Sequence, residues 1–484
     1  MSFQQGLSGL NSSSTQLDTI GNNVANASTV GFKESQAQFA DMYAASLAGG
    51  GAVQVGTGSK VSAVVQQFTQ GNITNTSNTM DTAISGQGFF RLVDANGAVV
   101  YSRNGQFQLD KNGFIVNNQG HMVTGYLPNA AGVIVQSNPV PLQISAADLT
   151  PKQSANSVVG VNLDALATVP ATAVFNPTDP SSYNNSTSMT IYDSLGANHV
   201  ASLYFQRQPI AIAGTGTIDT TGLLTLAGGG STAGLSVGNT VTLSGTTYTI
   251  TSVTSGTTLT VTPAPAAIVP ATAVTTNAGS PDWNTYMTID GVAVPPSAPP
   301  LTPLTTLSFN ALGQVVAPVG PPLGQVASAS FTPAGAAAQT LTFQFGQTTQ
   351  YGGSFGVNTL TQDGYASGHL SGFSTSADGT VLGSYTNGQS RPLGQVVLAN
   401  FTNPQGLQPT GNNEWVESSA SGGPLVGVPG SSSLGVLQSG AVEESNVDLT
   451  AELVNMITAQ RNYQANAQTV KTEDQIMQTL VSLR

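Results

Sequence analysis

Cysteine is absent from this 484-residue chain, which removes disulfides, thiolate catalysis and Cys-based zinc sites together. Charge is scarce as well: Asp, Glu, Lys and Arg make up 7% of the residues, against about 25% in an ordinary soluble protein. The little charge present is 23 acidic against 11 basic residues, a formal net charge of −12. Nucleic acids and anionic membrane surfaces call for Lys/Arg clusters, so both are excluded as partners. No uninterrupted apolar run approaches the ~18 residues of a spanning helix. No basic residue precedes Lys33, so the start MSFQQGLSGLNSSS lacks the positive region of a cleavable secretory signal. The expectation is a chain that stays inside the cell or leaves by a route without a cleaved signal.

Catalytic chemistry is equally thin. The three histidines, His121, His199 and His369, are far apart in sequence, so no helical metal pair exists. No D-x-D-x-D-G calcium loop occurs. One G-x-S-x-G match, Gly234-Leu235-Ser236-Val237-Gly238, is preceded by a glycine run and followed by Thr-rich strands. A nucleophile elbow needs a strand before the serine and a helix after it. Asp282 and His369 stand in triad order with it, but nothing in the sequence brings them near. The reading assigns no catalytic, metal or cofactor site: this is not an enzyme.

What the chain does have is length, glycine and two distinctive ends. At about 100–200 residues per domain, roughly three folded units are expected. Near the N-terminus Phe3, Leu7, Leu10, Ser14, Leu17, Gly21 and Val24 follow alternating four- and three-residue steps, a short coiled-coil stripe. At the C-terminus Leu449, Leu453, Met456, Gln460, Tyr463, Ala467, Val470, Asp474, Met477 and Val481 keep the same rhythm. Ser445 with Asp448 has the spacing of a helix start. A helix of ~35 residues is ~50 Å long and cannot bury such a stripe by itself. It would overhang a shorter N-terminal partner, and apolar ends left over favour assembly with copies of the same chain.

Between the ends the pattern is β. Asn96-Gly97, Asn104-Gly105 and Asn112-Gly113 recur every eight residues, which predicts type I′ hairpin turns. The strands between them are Phe89–Val93, Val99–Ser102, Gln106–Leu109, Phe114–Val116 and Met122–Tyr126. Asp378-Gly379 and Asn387-Gly388 precede a late strand at Gln395–Phe401, so early and late segments form one interrupted domain. From 153 to 390 the only base is Arg207. Within that stretch Thr240–Leu243, Thr247–Val253 and Thr258–Thr262 read as strands of a small inserted module. The fold class is therefore multidomain, mainly β, with an α-helical coiled-coil-like domain formed by the two termini.

Three motifs then carry a resemblance. Leu17-Asp18-Thr19-Ile20-Gly21-Asn22-Asn23-Val24-Ala25-Asn26, with Thr29, Gly31, Phe32 and Lys33, resembles the N-terminal signature of the bacterial flagellar rod and hook protein family. Ser445-Asn446-Val447-Asp448, Glu452-Leu453-Val454 and Gln460-Arg461-Asn462-Tyr463-Gln464-Ala465-Asn466 are similar to its C-terminal signature. Gly86-Gln87-Gly88-Phe89-Phe90 and the meander after it look like the family's shared β domain. Rod members have little between the two halves of that domain, so the long middle here favours the hook branch.

The resemblance implies four parts. These are a terminal helical assembly domain with linker (1–75 and 440–484), an inner β domain (76–148 and 363–439), an outer β domain (149–208 and 282–362) and an inserted module (209–281). It implies a structural subunit of the flagellar hook that polymerises helically into a curved tube, a universal joint passing motor torque to the filament. Alternatives are a distal-rod-like axial protein or a phage-tail or adhesin-type β fibre. Implied partners are copies of itself, the rod, hook-cap and hook–filament junction proteins, and the flagellar type III export apparatus. The implied location is extracellular, in the flagellar hook and basal body. Self-assembly is expected to run through Leu7, Leu10, Leu17, Asn22, Asn23, Val24, Asn26 and Gly31, and through Leu449, Leu453, Met456, Tyr463 and Val470. The asparagines would make interhelical or turn hydrogen bonds, and Gly31 would permit a bend. Phe39, Met42 and Tyr43 face either a neighbour or the export gate, or else their own β domain.

Overall fold

The computed structural model describes residues 2–42, 56–129, 132–145, 147–296 and 299–482; Tyr43 lies outside them. Two helices bracket an otherwise β chain: α1 (Ser2–Ala25) and α2 (Leu449–Ser482). The chain divides into two compact units, Met1–Asp148 with His369–Arg484, and Leu149–Gly368.

In the first unit the early and late segments share one sheet. Gln395 pairs with Tyr126, Leu398 with Phe90, and Glu414 with Ser102. The strand Ile73–Asn75 pairs with Ala441–Glu443, and Thr82–Ser85 with Val436–Ser439. These late partners bring the chain back to the start of α2. Alternation of large apolar groups fills the core with Ile84, Phe90, Leu92, Val123 and Leu398, all fully buried. Trp415, Phe89 and Tyr101 form a second cluster beside it.

The turns differ from the expected type I′. Among Asn96-Gly97 and Asn112-Gly113 only the glycines have positive φ, 90° and 84°. The residue that builds each loop sits three before the glycine. Asp94 Oδ1 accepts from Asn96 and Ala98 N–H at 2.8 Å each, and Asp110 Oδ1 does the same for Asn112 and Phe114. Asn117, Asp193, Asp219 and Asn310 repeat this cap. The side chain supplies bonds the backbone of a two-residue turn would otherwise make. Asn104-Gly105 is no hairpin at all; a Cβ at Gly105 would lie 1.7 Å from Thr82 O, so close backbone approach fixes that glycine.

The segment after α1, read as linker, is an antiparallel hairpin of β1 (Ser35–Met42) and β2 (Gly58–Gln66). Its strands carry little apolar alternation, and packing against α1 gives it a partner: Ser12 and Ser59 hydroxyls bond at 3.0 Å. The helix start also moves. Asp448, not Ser445, is the N-cap, accepting from Thr450 and Ala451 N–H at 2.9 and 3.1 Å. Residues 445–447 instead form a strap, because Asn446 is taken up by Glu34 N–H and the carbonyls of Gln67 and Thr69.

In the second unit a four-stranded and a six-stranded sheet enclose one core of Val159, Leu203, Phe205, Trp283, Phe343 and Phe345, all fully buried. Between Pro209 and Gly279 a seven-stranded sheet with its own core (Leu224, Val241, Ile250, Leu259) is inserted. Arg207 sits where the insertion leaves and returns. Its guanidinium donates to Ser280 O at 3.0 Å, Ala165 O at 2.7 Å and Gly279 O at 3.1 Å.

Candidate self-assembly surface

The two terminal helices run antiparallel, with Gly6 beside Val470, Gly9 beside Asn466 and Asn23 beside Glu452. Their seam is made of small and polar residues. A Cβ at Gly6 would lie 2.9 Å from Val470 Cγ2, and one at Gly9 2.7 Å from Asn466 Oδ1. Ser12, Ser13, Ile20 and Asn23 of α1 and Glu452 and Ala459 of α2 are buried here. Small residues let the backbones approach closely and leave the larger side chains outside.

Apart from Val470, which packs on Gly6, the predicted stripe is accordingly displaced from the seam. Leu7 is 45% exposed, Leu449 47%, Leu453 45% and Tyr463 37%, while Val454, Ile457 and Met477 exceed half. Leu10, Leu17, Val24, Met456 and Val470 are half-buried. Beyond the reach of α1, the last turns of α2 present Ile476, Met477 and Val481 to solvent. Full burial of each such side chain stabilises by about 1.5–3 kcal/mol, so the pair leaves much of its apolar free energy unrealised.

Polar groups tie α1 to α2 and to the start of the β1–β2 hairpin. Asn23 Nδ2 donates to Glu452 Oε2 at 3.0 Å and to Ser35 O at 2.8 Å, and its Oδ1 accepts from Ser35 N–H. Asn26 donates to Asn22 O at 3.0 Å and accepts from the Thr29 hydroxyl, closing the turn after α1. Gly31 has φ +73°, and a Cβ there would lie 2.6 Å from Asn104 N. The chain thus bends around Gly31 onto the residues after Ser102.

Below that bend lies a group the sequence reading left out of the site. Glu443, fully buried, takes Lys33 Nζ at 2.7 Å on Oε1 and Arg103 Nη1 at 3.0 Å on Oε2. Gly71 N–H adds a bond to Oε1, and Lys33 also donates to Thr69 O. Burial, then the nearby Arg103, pull the Lys33 ammonium below its ordinary value, opposed by Glu443. Burial likewise raises the Glu34 carboxyl, with Glu452 and Asp448 adding to it. With only 11 basic residues in the chain, two converging on one carboxylate is a signal that scarcity of charge could have flagged.

Phe39 and Met42 stand on β1, each 41% exposed. Phe39 borders a groove of about 280 Å³ lined by Gly9, Ser12, Ser13, Asn462 and Asn466. Elsewhere the histidines are engaged with carboxylates: His121 with Glu414, His199 with Asp193 and Asp290, and His369 with Asp148. Ser236 lies in a turn, bonded to Asn239 Oδ1 at 2.9 Å. Among the described residues no cluster suited to a metal is present, and no helix is long and apolar enough to cross a membrane.

Family models match at residues 3–33 (Flagella basal body rod protein) and 83–164 (Flagellar hook protein FlgE/F/G D1 domain). Others match at 162–279 and 236–365 (Flagellar basal body protein FlaE D2 domain) and at 438–483 (Flagellar basal body rod FlgEFG protein C-terminal). The flagellar hook protein FlgE of Salmonella typhimurium is 39% identical over 487 residues, covering 100% of both chains. That of Borreliella burgdorferi is 28% identical, covering 100% of this chain and 99% of the other. The crystal structure of Helicobacter pylori flagellar hook protein FlgE2 aligns with a TM-score of 0.42 at 14% identity, over 76% of this chain and 100% of that one.

Proposed function

The chain belongs to the flagellar hook protein family and is a structural subunit of the hook; we propose that it polymerises helically into a short curved tube acting as a universal joint. The observation that carries this is the placement of apolar side chains on the outside of the α1–α2 pair while glycine and serine fill its inside. An unpartnered stripe repeated on every copy is buried when copies stack, and a contact that does not close on itself generates an open helix. Leu7, Leu10, Leu17, Val24, Leu449, Leu453, Met456 and Tyr463 supply this contact, while Val470 packs against Gly6 within the seam. Asn22, Asn23, Asn26 and Gly31 hold its angle to the β domain.

The division of labour follows the four parts expected from the sequence. Terminal helices stiffen the wall, and the outer parts bend past one another as the joint turns. Bending every revolution favours surfaces without strong ion pairs, and the stretch 153–390 carries one base. The subunit leaves through the flagellar type III export apparatus without signal cleavage, and its tube meets the rod, hook-cap and hook–filament junction proteins. Phe39 and Met42 are free to meet a neighbour or the export gate.

Purified Leu453→Asp is the test. Its circular dichroism and thermal unfolding should match the parent while electron micrographs show no tubes. Parent-like tubes from this variant would refute the assembly role of α2.

A further inference from the structure

Arg207 is the only base between residues 153 and 390, and it is buried. Taking a cation out of water costs several kcal/mol, so its place in a region almost without charge calls for a reason. A carboxylate is not what holds it. Every group its guanidinium donates to is a main-chain carbonyl: Nε–H to Ser280 O at 3.0 Å, Nη2 to Gly279 O at 3.1 Å, and Nη1 to Ala165 O at 2.7 Å and to Ala167 O. The guanidinium carbon lies 5.8 Å from the centre of the fully buried Trp283 ring, within range of a cation–π attraction. Its main-chain N–H donates to Asn184 Oδ1 at 2.8 Å, and Asn184 in turn donates to Thr168 O.

These bonds join three stretches. One is the strand Asn198–Pro209, which carries Arg207; the second is the strand Gly279–Ile289; the third is the loop 164–168. The first two are the strands through which the inserted module leaves its host and returns. Pro209 pairs with Gly279 after a break in register, and past them Ile210 N–H donates to Ala278 O at 2.9 Å. The neck is therefore two strands wide, and a two-stranded ribbon on its own is marginally stable. It carries a module of seven strands. Gly279 makes room for the guanidinium: a Cβ there would lie 2.1 Å from Arg207 Nε.

We propose that Arg207 braces this neck, tying both strands to the host loop so that the inserted module and the domain carrying it move as one body. Arginine suits the task because its planar fork addresses carbonyls in several directions at once, where lysine offers a single point charge. The brace concerns the second unit alone and stands whether or not the chain polymerises.

The chain has no cysteine, so introduced ones are the only thiols a label can find. Thr249→Cys on the module and Thr190→Cys on the host sheet, both exposed strand positions, carry nitroxide spin labels in the full chain. Double electron–electron resonance then reads the distance between them. The labelled parent should give one narrow distance distribution. Adding Arg207→Gln should preserve the circular dichroism of the parent but broaden or split that distribution. A broad distribution in the parent, or an equally narrow one in folded Arg207→Gln, overturns the proposal. Should Arg207→Gln fail to fold, Gly279→Ala decides, because it keeps the cation and pushes the guanidinium off the Gly279 and Ser280 carbonyls. Broadening in Gly279→Ala supports the brace, and a width equal to the parent's refutes it.

Discussion

The terminal helix pair and the core of the second unit use apolar residues in opposite ways. In the second unit Trp283, Phe205, Phe343 and Phe345 are turned inward and fully buried. In the helix pair glycine, serine and asparagine form the seam, and Leu449, Leu453, Ile457 and Met477 face out. A unit that buries its aromatic side chains against one another carries a core of its own. A pair that keeps them outside has that burial still to gain, which is the basis of the assembly role proposed for it.

The comparison can be broken first at the core. Trp283→Ala should cost about 3–5 kcal/mol, read as an earlier urea transition of the second unit; a loss below about 1 kcal/mol would mean that this core is not self-sufficient. Next is the anchor beneath the helices. Glu443→Gln leaves Lys33 and Arg103 without their carboxylate and should cost about 3–5 kcal/mol, seen as faster hydrogen exchange across residues 23–35 and 440–455. Unchanged exchange would show that the helices are held by packing alone. Gly9→Val tests the seam: a branched side chain against Asn466 should cost about 1–3 kcal/mol and weaken α1 without touching the second unit.

In the second unit acid acts through Asp363. Burial by itself would raise the Asp363 carboxyl, but N–H donation from Asn156 and Ala155 and the bond to Lys152 outweigh it and bring it down to about 2. Folding therefore gains from this group above its ordinary value of 3.8 and loses that gain as pH falls toward about 2. His199 has the opposite sign. Its bond to Asp290, helped by Asp193 and opposed by burial, lifts it above 6.5. Its contribution is complete below 6.5 and is lost as pH rises through the raised value. Thermal unfolding across pH 2–9 in parent, Asp363→Asn and His199→Gln checks both limbs; flat profiles in the parent would contradict them. The smallest effect on folding is expected from Leu453→Asp, within about ±0.5 kcal/mol, although assembly is lost.

The sequence showed the strands better than it showed the turns and the seam. Phe89–Val93, Met122–Tyr126, Thr240–Leu243 and Thr258–Thr262 stand where the sequence puts them, and in the last two every second side chain is buried, a pattern written in the chain itself. The turns are built by an Asp or Asn three residues before each glycine rather than by the Asn-Gly pair itself. The hexapeptide Val-Pro-Ala-Thr-Ala-Val is a strand at 269–274 through Ala273 and irregular at 169–174, since in the first case the strand Thr215–Ile218 is there to pair with it. Periodicity located the helices and their stripe, yet it could not tell an inner face from an outer one. That depends on the close approach at Gly6 and Gly9, which only the partner helix reveals. The Lys33–Glu443–Arg103 group joins residues more than 300 positions apart, beyond the reach of any local pattern.

The central claim is that the outer apolar stripe of the helix pair is covered by other copies. Electron cryomicroscopy of the assembled tube, at a resolution that shows side chains, tests it most directly. The account predicts Leu449, Leu453, Ile457 and Met477 buried against neighbouring copies, with Gly6 and Gly9 still packed on α2 of their own chain. Those four side chains facing solvent in the tube, or a seam reopened to let them pair within one chain, would contradict it.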